Sequence, residues 1–200
     1  MTLNEARAIF EKTAGSYAGF WCVAGGWALD LFLDRQTREH DDMEIVVLRE
    51  NTELLYQHFK PFGPRLIFSG EPPVFLPWEG DAIDPQVIQL RLKPELVDAS
   101  GVNFDLLLTP SRERLWVCRR DQRLTRPLSD VRLDARGLPV LAPEIVLLFK
   151  AKYAREKDER DLEAVLPLLS PAARTWLHDA LDFIHPGHPW IVRVGRPSPT

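Results

Sequence analysis

The chain has 200 residues, 45% of them hydrophobic and 27% charged, with 25 Lys and Arg against 29 Asp and Glu for a net charge of -4. That describes a globular chain with room for one sizeable core, and its acidic balance argues against a nucleic-acid partner held through bulk charge. No apolar run approaches the ~20 residues of a bilayer span, and the opening MTLNEARAIFEK mixes charge with apolar groups unlike a signal peptide, so a cytoplasmic protein without a membrane partner is expected.

Ala6, Ile9, Phe10 and Thr13 recur at helical spacing and predict a helix over residues 4–15, with Asn4 as its N-cap. Trp21 to Ala24 is a short apolar piece ending in Gly25-Gly26, and WALDLFLD, residues 27–34, returns to helical spacing. Met43 to Leu48 is rich in β-branched residues and predicts a strand. A short helix follows from Asn51 to Phe59. Strands are then predicted at Leu66–Ser69 and Val87–Leu92, separated by the loop EPPVFLPWEGDAIDP, and at Phe104–Leu108 and Leu115–Arg119. RPLSDVRLDARGLPVL predicts a ragged hairpin. From Pro143, well placed in a first helical turn, to about Phe183 the pattern is helical, and a Pro- and Gly-rich tail closes the chain. The expected organisation is a mixed α/β part over 1–142 and a helical region over 143–200, as two lobes or one packed unit. Cys22 and Cys118 lie among apolar neighbours, reading as buried thiols in a reducing compartment without metal-ligand spacing.

The stretch HDDMEIVV, His40 to Val47, sets acids at the mouth of an apolar strand. Alternation puts Asp42 and Glu44 on one face, about 6.6 Å apart at a strand rise of ~3.3 Å, and points Asp41 the other way. At an effective dielectric of ~20 the pair repels by roughly 2.5 kcal/mol. A divalent cation would offset that, since Mg²⁺ takes hard oxygens from one or two carboxylates together with substrate phosphates; a solvated strand end would also tolerate it. Gly25-Gly26 stands shortly before, at a helix start, where side-chain-free backbone and free N–H groups suit a phosphate. No G-x-x-x-x-G-K-[ST] or G-x-G-x-x-G occurs, which removes P-loop and dinucleotide-fold readings.

Residues 23–47, VAGGWALDLFLDRQTREHDDMEIVV, resemble the signature of the DNA polymerase β-like nucleotidyltransferase superfamily, and within it the aminoglycoside 2″-adenylyltransferases and lincosamide nucleotidyltransferases. Gly25, Gly26, Trp27, Asp30, Thr37, Arg38, His40, Asp42 and Glu44 fall in register with that pattern. Two positions depart from it: Glu44 stands where many relatives have Asp, and Asp34-Arg35 where glycine is common. The resemblance implies an α+β (mixed α/β) fold, a polymerase β-like core with a C-terminal helical region. It also implies a third carboxylate on a neighbouring strand, for which VNFDLLL offers Asp105, as metal ligand or as the base for the acceptor hydroxyl; an edge or salt-bridged acid is the other reading of Asp105. Lys150 matches a lysine that meets nucleotide phosphates in the family. Lys157, Asp158 and Asp161 match a K-D-x-x-D run whose two acids share a helical face, to orient a lysine or to face water. Arg38 reads equally as a partner of the acids and as a phosphate contact.

The implied activity is transfer of a nucleoside monophosphate from a nucleoside triphosphate to a hydroxyl of a small molecule, an aminoglycoside- or lincosamide-like antibiotic among the candidates. Asp42, Glu44 and Asp105 would be the catalytic, metal-holding set for two Mg²⁺ ions, and Gly25, Gly26, Arg38 and Lys150 the nucleotide-binding set. The rival readings are a non-catalytic nucleotide-binding relative and a toxin–antitoxin-type nucleotidyltransferase acting on tRNA or protein. His178, His185 and His188 cluster near the end, but the H-x₂-H pair in a Pro-Gly loop has no third acidic or cysteine partner, and the three read as packing or surface groups. Trp78 and Trp190 read as loop residues without an assigned role.

Overall fold

The computed structural model describes residues 1–196. In chain order its helices and strands are α1 (Leu3–Ala14), β1 (Trp21–Val23), α2 (Gly25–Leu33), β2 (Asp42–Leu48), α3 (Thr52–Phe59), β3 (Arg65–Phe68), β4 (Val74–Pro77), β5 (Gln89–Leu92), α4 (Pro94–Val97), β6 (Asn103–Thr109), β7 (Ser111–Arg112), β8 (Leu115–Val117), β9 (Thr125–Pro127), β10 (Arg132–Ala135), β11 (Leu138–Leu141), α5 (Pro143–Lys150), α6 (Glu156–Val165), α7 (Pro171–Ile184) and α8 (Pro189–Val194). This is the mixed α/β architecture expected from the sequence.

Eight strands form one sheet in the order β10-β11-β1-β2-β6-β5-β3-β4, and β7-β8-β9 form a small second sheet. At the centre β2 and β6 run parallel from Asp42↔Asn103 to Leu48↔Thr109. Their one face is wholly apolar, since Met43, Ile45, Val47, Phe104, Leu106 and Leu108 are all 0% exposed. Phe10 of α1 packs edge-on against Phe104 at 5.7 Å between ring centroids. The opposite face carries Glu44, Val46, Asp105, Leu107 and Thr109, and α5 lies across it with α2, α6 and α7 as neighbours. One continuous core takes side chains from α1 and from α5 through α8 alike.

Several predicted details shift. Helix α1 is capped by Thr2, whose hydroxyl accepts from Glu5 N–H while the Glu5 carboxylate accepts from Thr2 N–H. This capping box leaves Asn4 inside the first turn, because the box needs an acid three residues on. The loop over 71–85 contains β4, an edge strand that tolerates Pro77 because edge positions need fewer N–H donors. The first C-terminal helix stops at Lys150, and the tail contains α8, started by Pro189 and capped by His188. Trp190 therefore sits in a helix, buried, donating to Glu159 Oε1 at 2.7 Å. Trp78 is also buried and donates to Asp81 O at 2.8 Å. Both cysteines are free and buried. Among the described residues, no helix is long and apolar enough to cross a membrane.

Candidate active site

β1 ends at Val23 and the chain enters α2 through Gly25, at φ 62°. That is a left-handed conformation natural to glycine. Ala24 N–H donates to Glu44 O at 2.8 Å, tying the helix start to β2 at the level of the carboxylate. A Cβ on Gly25 would overlap Glu44 Oε2, and one on Gly26 would overlap the His40 ring and the Arg38 guanidinium. The N-cap position, Ala24, provides no side-chain acceptor. The first amides of α2 thus stand uncapped at a cleft that Gly25 lines, the arrangement in which a helix start takes an anion.

The loop between α2 and β2 is held by one buried acid. Asp30 accepts from the Thr37 hydroxyl at 2.6 Å and N–H at 3.2 Å, and its other oxygen meets His40 Nε2 at 2.6 Å. His40 in turn stacks on Trp27 at 4.4 Å between centroids. Four signature residues therefore position β2 and do not reach the cleft themselves.

On β2 the alternation is as the sequence implied. Asp42 is exposed at the strand's start and Glu44 is half-buried. Asp41 is solvated, with Lys157 as its partner at 3.7 Å. Parallel register sets Asp105 directly beside Glu44. Burial, then the charges of Asp42 and Asp105, push the Glu44 carboxyl up to about 7, with Lys150 and Arg119 pulling it back. Asp105 is 3% exposed and held by Arg91, which donates from Nε at 2.7 Å and Nη2 at 2.6 Å. Arg91 arrives there because β5 pairs with β6 at Arg91↔Asp105.

A second charged hub joins α5 and α6. Lys150 Nζ lies 2.8 Å from Asp161 and 3.2 Å from Asp158. Arg38 grips Asp161 through Nε and Nη2, both at 3.3 Å, and Arg155 holds Asp158 at 2.9 Å. Both acids are buried, so they orient cations instead of facing water. Burial works to raise the Asp158 carboxyl, but the Arg155 hydrogen bonds and the Lys150 charge outweigh it and keep it below the usual range.

Between these groups lies a cleft of about 260 Å³, running from Gly25, Glu44 and Lys150 to Thr109, Trp116 and Arg119. As a place for Mg²⁺ the donor set fits in chemistry: hard carboxylate oxygens from Asp42 and Glu44, crowded enough to disturb Glu44, beside an uncapped helix start. The three-carboxylate set is not gathered around one point, since Arg91 occupies Asp105, and no three His, Cys, Asp or Glu among the described residues form a metal-holding group.

A family model described as aminoglycoside-2″-adenylyltransferase matches residues 7–165. The chain belongs to this family, and it is a nucleotidyltransferase. Among solved structures it is similar to ANT(2″)-Ia in complex with adenylyl-2″-tobramycin, at 14% identity, a TM-score of 0.56, and coverage of 90% of this chain and 98% of that one. The solution structure of ANT(2″)-Ia gives 15% identity, a TM-score of 0.58, and 92% and 94% coverage. Lincomycin-bound LnuA, a lincosamide antibiotic adenylyltransferase, gives 19% identity, 0.51, and 82% and 93%. At these identities the likeness is one of fold. No curated protein sequence matches the chain.

Within this adenylyltransferase fold, Gly25, Glu44 and Lys150 line one cleft, and Asp42 and Asp105 flank it in strand register. Arg38 is turned to Asp161, and Lys157 to Asp41 at the surface. His178 in α7 and His188 at the start of α8 lie apart from it, pairing with Asp179 and the Trp190 N–H, while His185, just past α7, accepts from Arg120 at the cleft's edge. Sequence reasoning missed Arg91, Arg119, Arg120 and Trp116. In the alternating QLRL of β5 Arg91 carries no mark of its own, and only the register of β5 on β6 gives it a partner.

Proposed function

We propose that the chain transfers a nucleoside monophosphate from a nucleoside triphosphate to a hydroxyl group of a small molecule, in the cytoplasm, where triphosphates are plentiful. The observation that carries this reading is the meeting of an uncapped, glycine-started helix with Glu44, itself beside Asp105. Gly25 and Gly26 present backbone N–H groups to the triphosphate. Lys150, fixed by Asp158 and Asp161, adds positive charge at a set place, and Arg38 extends it from the far side of Asp161. Asp42 and Glu44 would hold Mg²⁺, two ions in the full complex, with Asp105 as the third carboxylate. Bound there, the metal would supply charge neutralisation at the phosphates. Asp105 either joins that set or accepts the proton of the acceptor hydroxyl, and each role requires the Arg91 pair to loosen. Residues 1–142 would contribute the glycines and carboxylates, and 143–200 the lysine and the roof of the cleft. The names of the family and of its structural neighbours support an antibiotic as the acceptor, and with it a resistance role.

Calorimetric titration of ATP and GTP with and without Mg²⁺ tests the proposal. The wild type is expected to show metal-dependent affinity and Asp42→Asn to lose it; absence of metal-dependent binding in the wild type removes the catalytic reading.

A further inference from the structure

The charges on the site's sheet face stand in a row. Register sets Glu44 on β2 opposite Asp105 on β6, Asp105 opposite Arg91 on β5, and Arg91 opposite Arg65 on β3. Neighbouring strands lie ~4.8 Å apart and paired residues share a face, so Asp105 has a like charge on one side and an opposite charge on the other. A buried carboxylate needs a counter-ion, and strand pairing supplies this one whatever else is bound. Arg91 meets Asp105 as a fork, Nε on one carboxylate oxygen and Nη2 on the other, the charge-assisted geometry that holds most strongly. Phe75 of β4 lies against both guanidiniums, 5.7 Å from Arg91 and 5.2 Å from Arg65. The Arg65 Nε is buried without a hydrogen-bond partner among the described residues. Arg91 itself has room to move. Its side chain is partly exposed, and a cavity of about 340 Å³ bordered by Ile67, Ser69, Phe75 and Gln89 lies beside it.

A divalent cation at Asp42 and Glu44 and the guanidinium of Arg91 therefore compete for the carboxylate between them. We infer that Arg91 is a positioning residue that withholds Asp105 from the cation until a triphosphate arrives, and so makes metal binding depend on nucleotide. The inference rests on the nucleotidyl-transfer reading. While Arg91 neutralises Asp105, a cation meets only two carboxylates and is repelled by the guanidinium beyond them. A triphosphate adds oxygens that complete the cation's coordination, and a cation held that firmly displaces the guanidinium from Asp105. By linkage, whatever the nucleotide adds to cation affinity the cation adds to nucleotide affinity.

The test is Mn²⁺ binding, read from the electron paramagnetic resonance of the free ion, with and without a non-hydrolysable ATP analogue; Mn²⁺ takes the same oxygen ligands as Mg²⁺. In the wild type the analogue is expected to tighten Mn²⁺ binding by about tenfold or more. Arg91→Met should bind Mn²⁺ alone about tenfold more tightly than the wild type, and the analogue should add correspondingly less. Adding Asp105→Asn to Arg91→Met should return Mn²⁺ affinity to within about twofold of the wild type. Arg65→Met, which removes the next cation of the row and leaves the Asp105 pair intact, should also stay within about twofold. An arginine with a merely structural role predicts the opposite sign, a weaker cation site on its removal. If Arg91→Met does not fold, Arg91→Lys keeps the test open, since one ammonium in place of the fork should give an intermediate gain. Mn²⁺ affinity at or below the wild-type value in a folded Arg91 variant overturns the inference, as does a gain that survives Asp105→Asn or appears equally in Arg65→Met. So does a wild type that binds the analogue without tightening Mn²⁺ binding, and none of these outcomes removes nucleotide binding itself. A wild type that binds no nucleotide overturns both the inference and the nucleotidyl-transfer reading.

Discussion

Asp41 and Asp42 are adjacent in sequence and opposite in circumstance. Asp41 faces solvent with a loose partner in Lys157, whereas Asp42 shares a face with Glu44 at the cleft's edge. Asp42→Asn is therefore expected to abolish nucleotidyl transfer in a pyrophosphate-release assay, and Asp41→Asn to leave it within about twofold, since an exposed pair contributes ~0–1 kcal/mol; equal loss from both would mean the strand register is wrong. Glu44 makes a separate prediction. Its folded-state pKa, about 7, lies above the ordinary carboxyl value of 4.5, so the folded chain holds this proton more tightly than the unfolded one. The stability it lends is complete below pH 4.5 and is lost as pH rises through 7, by on the order of 3 kcal/mol. Glu44→Gln should melt higher than the wild type at pH 8 in EDTA, converge with it near pH 4.5, and be inactive. A variant that melts lower at pH 8 would show that the carboxylate is not under strain.

Among the elements, the turn from β1 into α2 does most to define the site. Gly25→Ala must keep a positive φ, at ~1–2 kcal/mol, and must move the Glu44 side chain as well. Gly137 also has positive φ, at 90°, but open space around it. Ala at both positions should lower the midpoint of chemical denaturation comparably, while only Gly25→Ala loses kcat, by about a hundredfold. The elements also show what a sequence can carry. The two-residue period of DMEIVVL separates the faces of β2 without any tertiary knowledge, and the apolar run around Asp105 marks its strand. Asp30, Thr37 and His40 were legible as a pattern, yet their task, a buried hub bracing the loop, depends on a fold that brings Asp30 and His40 within hydrogen-bonding reach. Arg91 and Arg119 were not legible, because strand register and the placement of the β7-β8-β9 sheet give them their neighbours. Prolines hid β4 and α8: the same residue that ends one element starts a helix at Pro189 or sits harmlessly on an edge at Pro77.

For the molecule as a whole, the core decides whether 1–142 and 143–200 behave as two bodies. Phe10, Val23 and Ile45 share one buried cluster with Leu147, Leu162 and Leu181. Denaturant unfolding followed by tryptophan fluorescence and by far-UV circular dichroism should therefore superimpose in a single transition; a plateau between two transitions would establish separate lobes. The same wholeness has a cost in time. β1 pairs in parallel with β11 at Val23↔Val140, and Arg7 and Arg132 add long-range ties, to Ala135 O at 2.9 Å and to Trp21 O at 3.3 Å. On a ribosome adding ~5–20 residues per second, the partner of Trp21–Val23 emerges roughly 6 to 24 s after that strand does. Through that interval one flank of a strongly apolar strand stands open to mispairing, and the sheet cannot close until β11 is synthesised. The pairing that joins the strand before Gly25 to the strand before the helix of Lys150 thus makes completion of the active site a late event in the birth of the chain.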